Sequence, residues 1–320
     1  MEWYWWCLVA LGGLVALVLL ISLYCYIRMF YVAKPKPLPE GEFDLPPGHI
    51  YEPYHEQMIT WMQARRALPQ EDLEIVSFDG LTLRGKYFEC KKGAPLEIQF
   101  HGYQGNCERD LSGGVERCFK LGRNVMQVDH RGCGTSDGHF GTFGIHERLD
   151  CLAWVDFAVS KFGPDVEIML TGVSMGAATV VMASAMPLLP PQVKGVLADC
   201  GFSSAEKIIK KVVREMHLPP AIIYPFIKLG ARIYGGFNLE ETSPIEGAKN
   251  ARVPIVFVHG DHDKFVPHEM SVEMYEACTA PCRMITIHGA GHGLAYPADR
   301  DGYLAALDTA CRELGIFENA

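Results

Sequence analysis

The sequence predicts an α/β protein whose central sheet is mostly parallel and is covered by helices on both faces. Two observations predict this class. Residues 73–88 have the pattern of a β-hairpin around an Asp79-Gly80 turn, and strand-like apolar runs then alternate with helical patterns up to residue 314. Such alternation implies parallel strands joined by helical crossovers. The 320-residue chain is 49% hydrophobic and 21% charged, which is ordinary for a folded domain with a sizeable core.

Residues 1–33 are predicted to form a membrane anchor. Between Trp3 and Ile27 lie 25 residues without a charge, enough to cross a hydrocarbon layer of about 30 Å at about 1.5 Å per residue. Aromatic residues crowd both ends of this stretch, as they do at membrane interfaces. The acidic Glu2 and the absence of an A-x-A-like site before Arg28 favour a retained single-pass anchor over a cleaved signal peptide. Basic residues follow the span and none precedes it, which predicts a cytoplasmic position for the main domain (Arg28, Lys34, Lys36).

The remaining elements are expected in two parts, a linker over residues 34–69 and the α/β domain over residues 70–320. The linker begins with a stiff proline-rich spacer at residues 34–39 and continues with an amphipathic helix over 51–66. Short apolar runs predict strands, and apolar residues spaced by three and four predict helices. The strands are expected at 96–100, 124–128, 166–170, 193–198, 253–258 and 284–287, and the helices at 108–121, 146–160, 175–186, 267–278 and 298–314.

Residues 203–243 interrupt this alternation. Two helical patterns, at 205–216 and 221–234, are separated by a Pro219-Pro220 pair with no strand between them. Long insertions into compact domains are usually functional, so we interpret the segment as a small helical lid over the site. An additional packing layer and a membrane-contacting surface are the alternatives.

The charge argues against a nucleic-acid partner, and the cysteines argue against a disulfide framework and a zinc site. The net charge is −9, and the anchor contributes only Glu2 and Arg28, so the body is acidic and has no footprint for nucleic acid. Eleven cysteines are scattered without a repeating spacing, which favours a reducing compartment over a disulfide framework. Cys278 and Cys282 are one helical turn apart but lack a second pair of ligands, so burial is a better interpretation than a zinc site.

The strongest chemical signal is the G-x-S-x-G sequence at residues 172–176. It stands between an apolar run and a run of small residues, which predicts a strand, a sharp turn and a helix. The two glycines permit a close, strained turn that exposes the Ser174 hydroxyl at the edge of the sheet. A serine hydroxyl becomes a nucleophile only with a positioned base, an orienting acid and donors for the oxyanion.

His292 is the preferred base because it follows the last strand in a glycine-rich loop. His288 and His101 compete with it. Asp263, in the loop after the preceding strand, is the preferred acid, and the competing carboxylates are Asp261, Asp199 and Asp129. The chain order Ser174, Asp263, His292 is that expected for a nucleophile elbow in an open α/β sheet. The oxyanion donors are expected to be the N–H groups of Met175, at the start of the elbow helix, and Tyr103, in the loop after residue 100.

With these motifs the chain resembles the α/β-hydrolase superfamily, and within it the bacterial serine hydrolases with an H-G-x-x-G-N oxyanion loop. The resemblance covers about residues 70–315 and implies Ser174 as nucleophile, His292 as base, Asp263 as acid, and an oxyanion hole from the Tyr103 and Met175 N–H groups. Five motifs carry it in order, at residues 101–106, 129–136, 172–176, 259–267 and 291–292.

Many relatives have asparagine where this chain has Tyr103, so the resemblance leaves the shape of the acyl pocket open. Phe202, Tyr224 and Phe226 are further candidates to line that pocket. The motif at residues 129–136 resembles a structural turn, with Asp129, Arg131 and Ser136 as scaffold.

The predicted activity is hydrolysis of carboxylic esters through an acyl-enzyme on Ser174. The alternatives are a membrane-associated lipase, lysophospholipase or thioesterase, a serine peptidase and, in another class, a catalytically idle binding module. The expected partners are a small-molecule or lipid ester and the membrane, with no obligate protein partner, and neither a metal nor an organic cofactor is implied.

Overall fold

A computed structural model describes residues 2–35, 38–39 and 41–317. These residues form two compact units. The first unit joins Met1–Tyr31 to Ala205–Glu241, so the predicted anchor and the predicted lid belong together. The second unit contains Val32–Ser204 and the residues from Thr242 onward. Lys36 and Pro37 of the predicted spacer lie outside the described residues.

The second unit is built on one eight-stranded sheet in the order β1-β2-β4-β3-β5-β6-β7-β8. The β1–β2 and β2–β4 pairs are antiparallel and every other pair is parallel, which confirms the predicted sheet. The strands are β1 Glu71–Val76, β2 Thr82–Phe88, β3 Leu96–Phe100, β4 Asn124–Val128, β5 Ile168–Val173, β6 Val193–Asp199, β7 Ile255–Gly260 and β8 Cys282–Ile287.

Helices cover both faces of this sheet because its central strands are apolar on both sides. Along β5, Ile168 and Leu170 pack into one core, and Met169 between them packs into the other. The helices of this unit are α2 His55–Ala67, α3 Cys107–Lys120, α4 Glu147–Phe162, α5 Met175–Ser184, α8 Pro244–Lys249, α9 Glu269–Ala277, α10 Ala295–Ala298 and α11 Arg300–Glu313.

The structure changes the predicted elements in two places. The expected helix over 298–314 is present as α11, and Asp299 caps its first turn by accepting a hydrogen bond from the Gly302 N–H. The short helix α10 directly before it was not predicted. The short helix α8 was not predicted. It begins with Ser243, whose hydroxyl accepts from the Glu246 N–H, followed by Pro244 in the first turn.

The first unit consists of three helices, α1 Trp3–Phe30, α6 Ala205–Glu215 and α7 Pro220–Tyr234. Within the described residues, α1 is the one helix long and apolar enough to cross a membrane, a test that an N-terminal signal sequence also passes. α6 is amphipathic, with Ile208, Ile209 and Val213 buried. The lid role assigned to residues 203–243 stays a prediction.

Candidate active site

Ser174 occupies a strained turn between β5 and α5. Its φ is +56° and its ψ is −114°, a conformation that non-glycine residues rarely adopt. The flanking glycines allow the turn, because a Cβ on Gly172 would lie 2.1 Å from the Gly176 carbonyl carbon and one on Gly176 would lie 2.1 Å from the Phe100 oxygen. The Ser174 N–H donates to the Asp199 carbonyl at 2.8 Å, which ties the turn to β6.

His292 and Asp263 approach this serine from the ends of the next strands. The His292 Nε2 lies 3.0 Å from the Ser174 Oγ, and its Nδ1 lies 2.6 Å from the Asp263 Oδ2. All three residues are buried. The structure therefore brings the predicted nucleophile, base and acid into one chain of hydrogen bonds, although 118 residues separate Ser174 from His292.

Asp263 is held as a carboxylate by four hydrogen-bond partners. Its Oδ1 accepts from the N–H groups of Phe265 and Val266 at 2.8 and 2.9 Å. Its Oδ2 faces the His259 Nε2 at 3.1 Å in addition to His292. Burial alone would raise the pKa of Asp263, but the hydrogen bonds from His259 and His292 outweigh it and hold that pKa well below its usual value.

His259 and Phe265 were not assigned a role from the sequence. The His259 Nδ1 lies 2.7 Å from the Ser271 Oγ, which fixes the ring that faces Asp263. The Phe265 ring stands edge-on to the His292 ring, with the centroids 5.0 Å apart. The sequence did offer a signal for His259, which stands four residues before Asp263 in the motif at residues 259–267. No sequence pattern indicated a role for Phe265.

The competing bases and the runner-up acid lie elsewhere. His288 is exposed and its Nδ1 pairs with the Asp261 Oδ2 at 2.8 Å. His101 is fully buried, and its Nε2 accepts the His130 N–H at 3.0 Å. Asp129 accepts the Cys107 N–H at 2.8 Å as part of the scaffold.

Asp199, the third candidate acid, lies beside the elbow, and its side chain is hydrogen-bonded to Tyr303. Its Oδ2 lies 3.1 Å from the Tyr303 hydroxyl, and its Oδ1 has no hydrogen-bond partner among the described residues. Burial raises the pKa of Asp199 to about 6.

The loop after β3 lies against the nucleophile. A Cβ on Gly102 would lie 3.6 Å from the Ser174 Cβ, so Tyr103 follows at the edge of the serine. The Asn106 side chain accepts the Glu108 and Arg109 N–H groups and thereby starts α3 directly after this loop. Met175 opens α5, and its N–H, as a first-turn group, has no acceptor within that helix. The two predicted oxyanion donors therefore belong to segments that meet at Ser174.

An aromatic row starts at Tyr103. Its ring lies 5.1 Å from that of Phe143, which in turn lies 6.2 Å from Phe202. Phe143 was missed in the sequence because its φ of +55° places it by a loop conformation that no local pattern indicates. Tyr224 and Phe226 lie on α7 in the other unit, so their place in the pocket stays a prediction.

Cys200 lies close to both His292 and Asp263. Donor atoms of Cys200, Asp263 and His292 all lie within 4.8 Å of one another, a grouping that suits a metal ion by type. The 2.6 Å hydrogen bond between His292 and Asp263 leaves no room for an ion between those two side chains. Burial raises the pKa of the Cys200 thiol well above its usual value, so it stays protonated. The arrangement suits proton transfer from Ser174 better than metal binding.

Comparisons with known proteins agree with this geometry. A family model described as serine hydrolase (FSH1) matches residues 149–300, a range that contains Ser174, Asp263 and His292. The uncharacterized protein YqkD of Bacillus subtilis is 24% identical over 298 residues, covering 92% of this chain and 93% of the relative. Protein bem46 of Schizosaccharomyces pombe is 23% identical over 215 residues, 65% of each chain.

Solved structures show the same fold. The esterase Pf2001 of Pyrococcus furiosus superposes with a TM-score of 0.64 at 19% identity, covering 89% of this chain and 98% of the esterase. Est1E of Butyrivibrio proteoclasticus, solved with ferulic acid bound, gives 0.59 at 23% identity over 76% and 98% of the two chains. The sheet order and these matches show that the chain has the α/β-hydrolase fold, and residues 149–300 are similar to a serine-hydrolase family.

Proposed function

We propose that the chain hydrolyses carboxylic esters through an acyl-enzyme on Ser174. The observation that carries this proposal is the continuous set of hydrogen bonds from Ser174 through His292 to Asp263, at 3.0 and 2.6 Å. His292 takes the serine proton as Oγ attacks the ester carbonyl, and it later returns that proton to the leaving alcohol. Asp263 holds the imidazole in the tautomer that accepts at Nε2.

The N–H groups of Tyr103 and Met175 are the proposed donors to the tetrahedral oxyanion. Losing one such donor typically costs about 10²–10³-fold in rate. After the alcohol leaves, water attacks the acyl-enzyme with His292 again acting as base, and Ser174 is regenerated. Every step uses groups of the protein, the substrate and water, so no cofactor is needed for this sequence of reactions.

Two features support an ester over an amide as substrate. Tyr103, Phe143 and Phe202 offer an apolar wall beside the nucleophile, which suits an acyl chain or an aromatic acyl group. One solved relative, from Pyrococcus furiosus, is named an esterase, and another, Est1E from Butyrivibrio proteoclasticus, was solved with ferulic acid bound. Thioesters and amides fit the same chemistry and are the alternatives.

We further propose that α1 is retained as a single membrane-spanning anchor, with the hydrolase on the cytoplasmic side. Its 28 residues extend for about 42 Å at about 1.5 Å each, longer than the hydrocarbon layer of about 30 Å. An anchored hydrolase would meet lipid esters and lysophospholipids, which makes them the second candidate class of substrate.

A fluorophosphonate probe tests the nucleophile directly. The wild type should become labelled and Ser174→Ala should not, while Ser184→Ala, which changes the buried serine at the end of α5, should label like the wild type. Equal labelling of Ser174→Ala would refute the assignment, and an unlabelled wild type would favour an idle binding module.

A series of p-nitrophenyl esters from short to long acyl chains, assayed beside peptide anilides, then separates the substrate classes. Preference for short or aromatic acyl groups is expected for an esterase and preference for long chains for a lipase. Faster cleavage of the anilides would identify a peptidase and overturn the ester proposal.

A further inference from the structure

α7 carries apolar side chains on both of its faces. Of its 15 residues, only Lys228 and Arg232 are charged. A helix that faces water is normally polar on its outer side, as α6 is, and a helix that is apolar all round is normally buried or in a membrane. The outer stripe of α7 recurs at helical spacing, with Ile222 59% and Ile233 47% exposed, Pro225 also exposed and Leu229 half-buried. This stripe is therefore not suited to water.

The inner side of α7 packs directly on α1. A Cβ on Gly230 would lie 2.4 Å from the Ser22 carbonyl oxygen and 2.9 Å from the Tyr26 Cβ, so the two helix backbones touch at this glycine. The Tyr234 hydroxyl donates to the Leu19 carbonyl at 3.0 Å, and the rings of Tyr26 and Tyr234 lie 6.2 Å apart. Close contact through a small residue is typical of helix pairs in membranes.

The depth of this contact along α1 follows from helix geometry. Leu19 stands about 24 Å and Tyr26 about 35 Å beyond Trp3 along the axis, at about 1.5 Å per residue. The hydrocarbon layer is about 30 Å thick. With the tryptophans near Trp3 at the far interface, α7 crosses α1 where the hydrocarbon meets the headgroups. The apolar stripe of α7 then lies at the membrane boundary.

The charge of this unit suits the same location. It contains seven Lys and Arg residues against five Glu and no Asp, a net charge of +2 in a chain of −9. One of the five acidic residues, Glu2, is at the opposite end of α1. Basic residues near a membrane are attracted to anionic headgroups by about 1 kcal/mol each. Four of the seven stand on α6, namely Lys207, Lys210, Lys211 and Arg214, and two of these, Lys210 and Lys211, pair with Glu206 and Glu215 of the same helix.

We propose that α7 lies in the interface of a lipid bilayer, with the stripe of Ile222, Pro225, Leu229 and Ile233 among the acyl chains and the basic residues of α6 at the lipid phosphates. The exposed Met216 and Leu218, in the turn that precedes α7, extend this surface. The inference rests on the proposed membrane-spanning role of α1. It makes residues 205–241 a membrane-bound element that is fixed to the anchor.

Photocrosslinking of the full chain in lipid nanodiscs tests this surface. p-Benzoylphenylalanine replaces Ile222 or Ile233 in nanodiscs of phosphatidylcholine and phosphatidylglycerol, and mass spectrometry detects phospholipid attached after illumination. Leu14, 58% exposed in the middle of α1, is the position that reports on the anchor, and Leu188, 81% exposed in the other unit, is the matched control. Thermal unfolding of each variant shows that it is folded.

Lipid adducts at Leu14, Ile222 and Ile233, with none above background at Leu188, are expected. Adducts at Leu14 but at neither α7 position would overturn the α7 surface and leave the anchor standing. Absence of adducts at Leu14 as well would overturn both. Crosslinks from Ile222 to a second copy of the chain would overturn the lipid proposal in favour of a protein interface. Fluorophosphonate labelling is independent of all these outcomes, so failure here is distinguishable from failure of the hydrolase assignment.

Discussion

Replacing Asp199 by asparagine is expected to change how the stability of the protein depends on pH. Asp199 ends β6 beside the nucleophile and is 6% exposed. One carboxyl oxygen faces the Tyr303 hydroxyl at 3.1 Å, and the other has no partner among the described residues. Burial raises the pKa of this carboxyl to about 6, whereas the unfolded chain titrates near 4.

The sign follows from proton linkage. The folded protein binds the Asp199 proton more tightly than the unfolded chain, so the associated stability is fully present below about pH 4 and is lost as the pH rises to about 6. Above that pH the folded protein carries a buried carboxylate. A difference of about 2 pKa units corresponds to about 3 kcal/mol in the free energy of unfolding. Asparagine keeps the shape of the side chain and removes the titration.

Urea unfolding of the full chain in detergent micelles, from pH 4 to pH 8, measures the effect. From pH 4 to pH 8, the free energy of unfolding of Asp199→Asn should rise by up to about 3 kcal/mol relative to that of the wild type. An effect of the substitution that does not depend on pH shifts this difference by a constant and leaves the rise unchanged. Asp261→Asn is the control expected to stay nearly parallel to the wild type over this range, because the hydrogen bond from His288 lowers the pKa of Asp261 and the associated stability is lost only below about pH 4. If the Asp199→Asn and wild-type curves stay parallel, Asp199 is not the buried acid described here.

Two further predictions concern the active site and the anchor. Asp263→Asn should lower kcat on a p-nitrophenyl ester by about 10⁴-fold, since the imidazole loses its correct tautomer, while His288→Ala should leave kcat unchanged. Gly230→Ala should lower the thermal unfolding midpoint because overpacking against α1 costs about 1–3 kcal/mol, whereas Gly12→Ala, with open space around its Cβ, should raise it slightly. Loss of kcat in His288→Ala, or equal shifts in the two glycine variants, would contradict these assignments.

The sheet and the central residues of the site were predictable because they depend on local patterns that the fold brings together by rule. Ser174, Asp263 and His292 each follow a short apolar strand, and parallel strands end at one edge of a sheet. The choice between Asp263 and Asp261 as the acid required the three-dimensional structure. Only the structure shows that Asp263 faces His292, while Asp261 faces His288 at the surface.

What could not be predicted depends on contacts between distant residues. Glu97 stands in the middle of the apolar strand β3, fully buried, where a local pattern would not place a charge. The structure pairs it with Arg117 and Arg123, at 2.5 and 2.6 Å, and although burial opposes ionisation these two arginines lower the pKa of Glu97 to about 2. A buried carboxylate needs such partners, and neither arginine is adjacent to it in the chain. Phe143 was missed for a related reason, since a loop conformation sets its position.

The association of α1 with α7 was the least predictable feature, because about 170 residues separate the predicted anchor from the predicted lid. Read alone, α7 has too many apolar residues for a helix with one buried face. The structure accounts for the inner ones, since Gly230 and its neighbours lie against α1. It leaves Ile222 and Ile233 on the outside, and a partner helix does not explain them. A helix needs a second apolar environment to account for its second apolar face, and the bilayer proposed around α1 would supply one at the right depth.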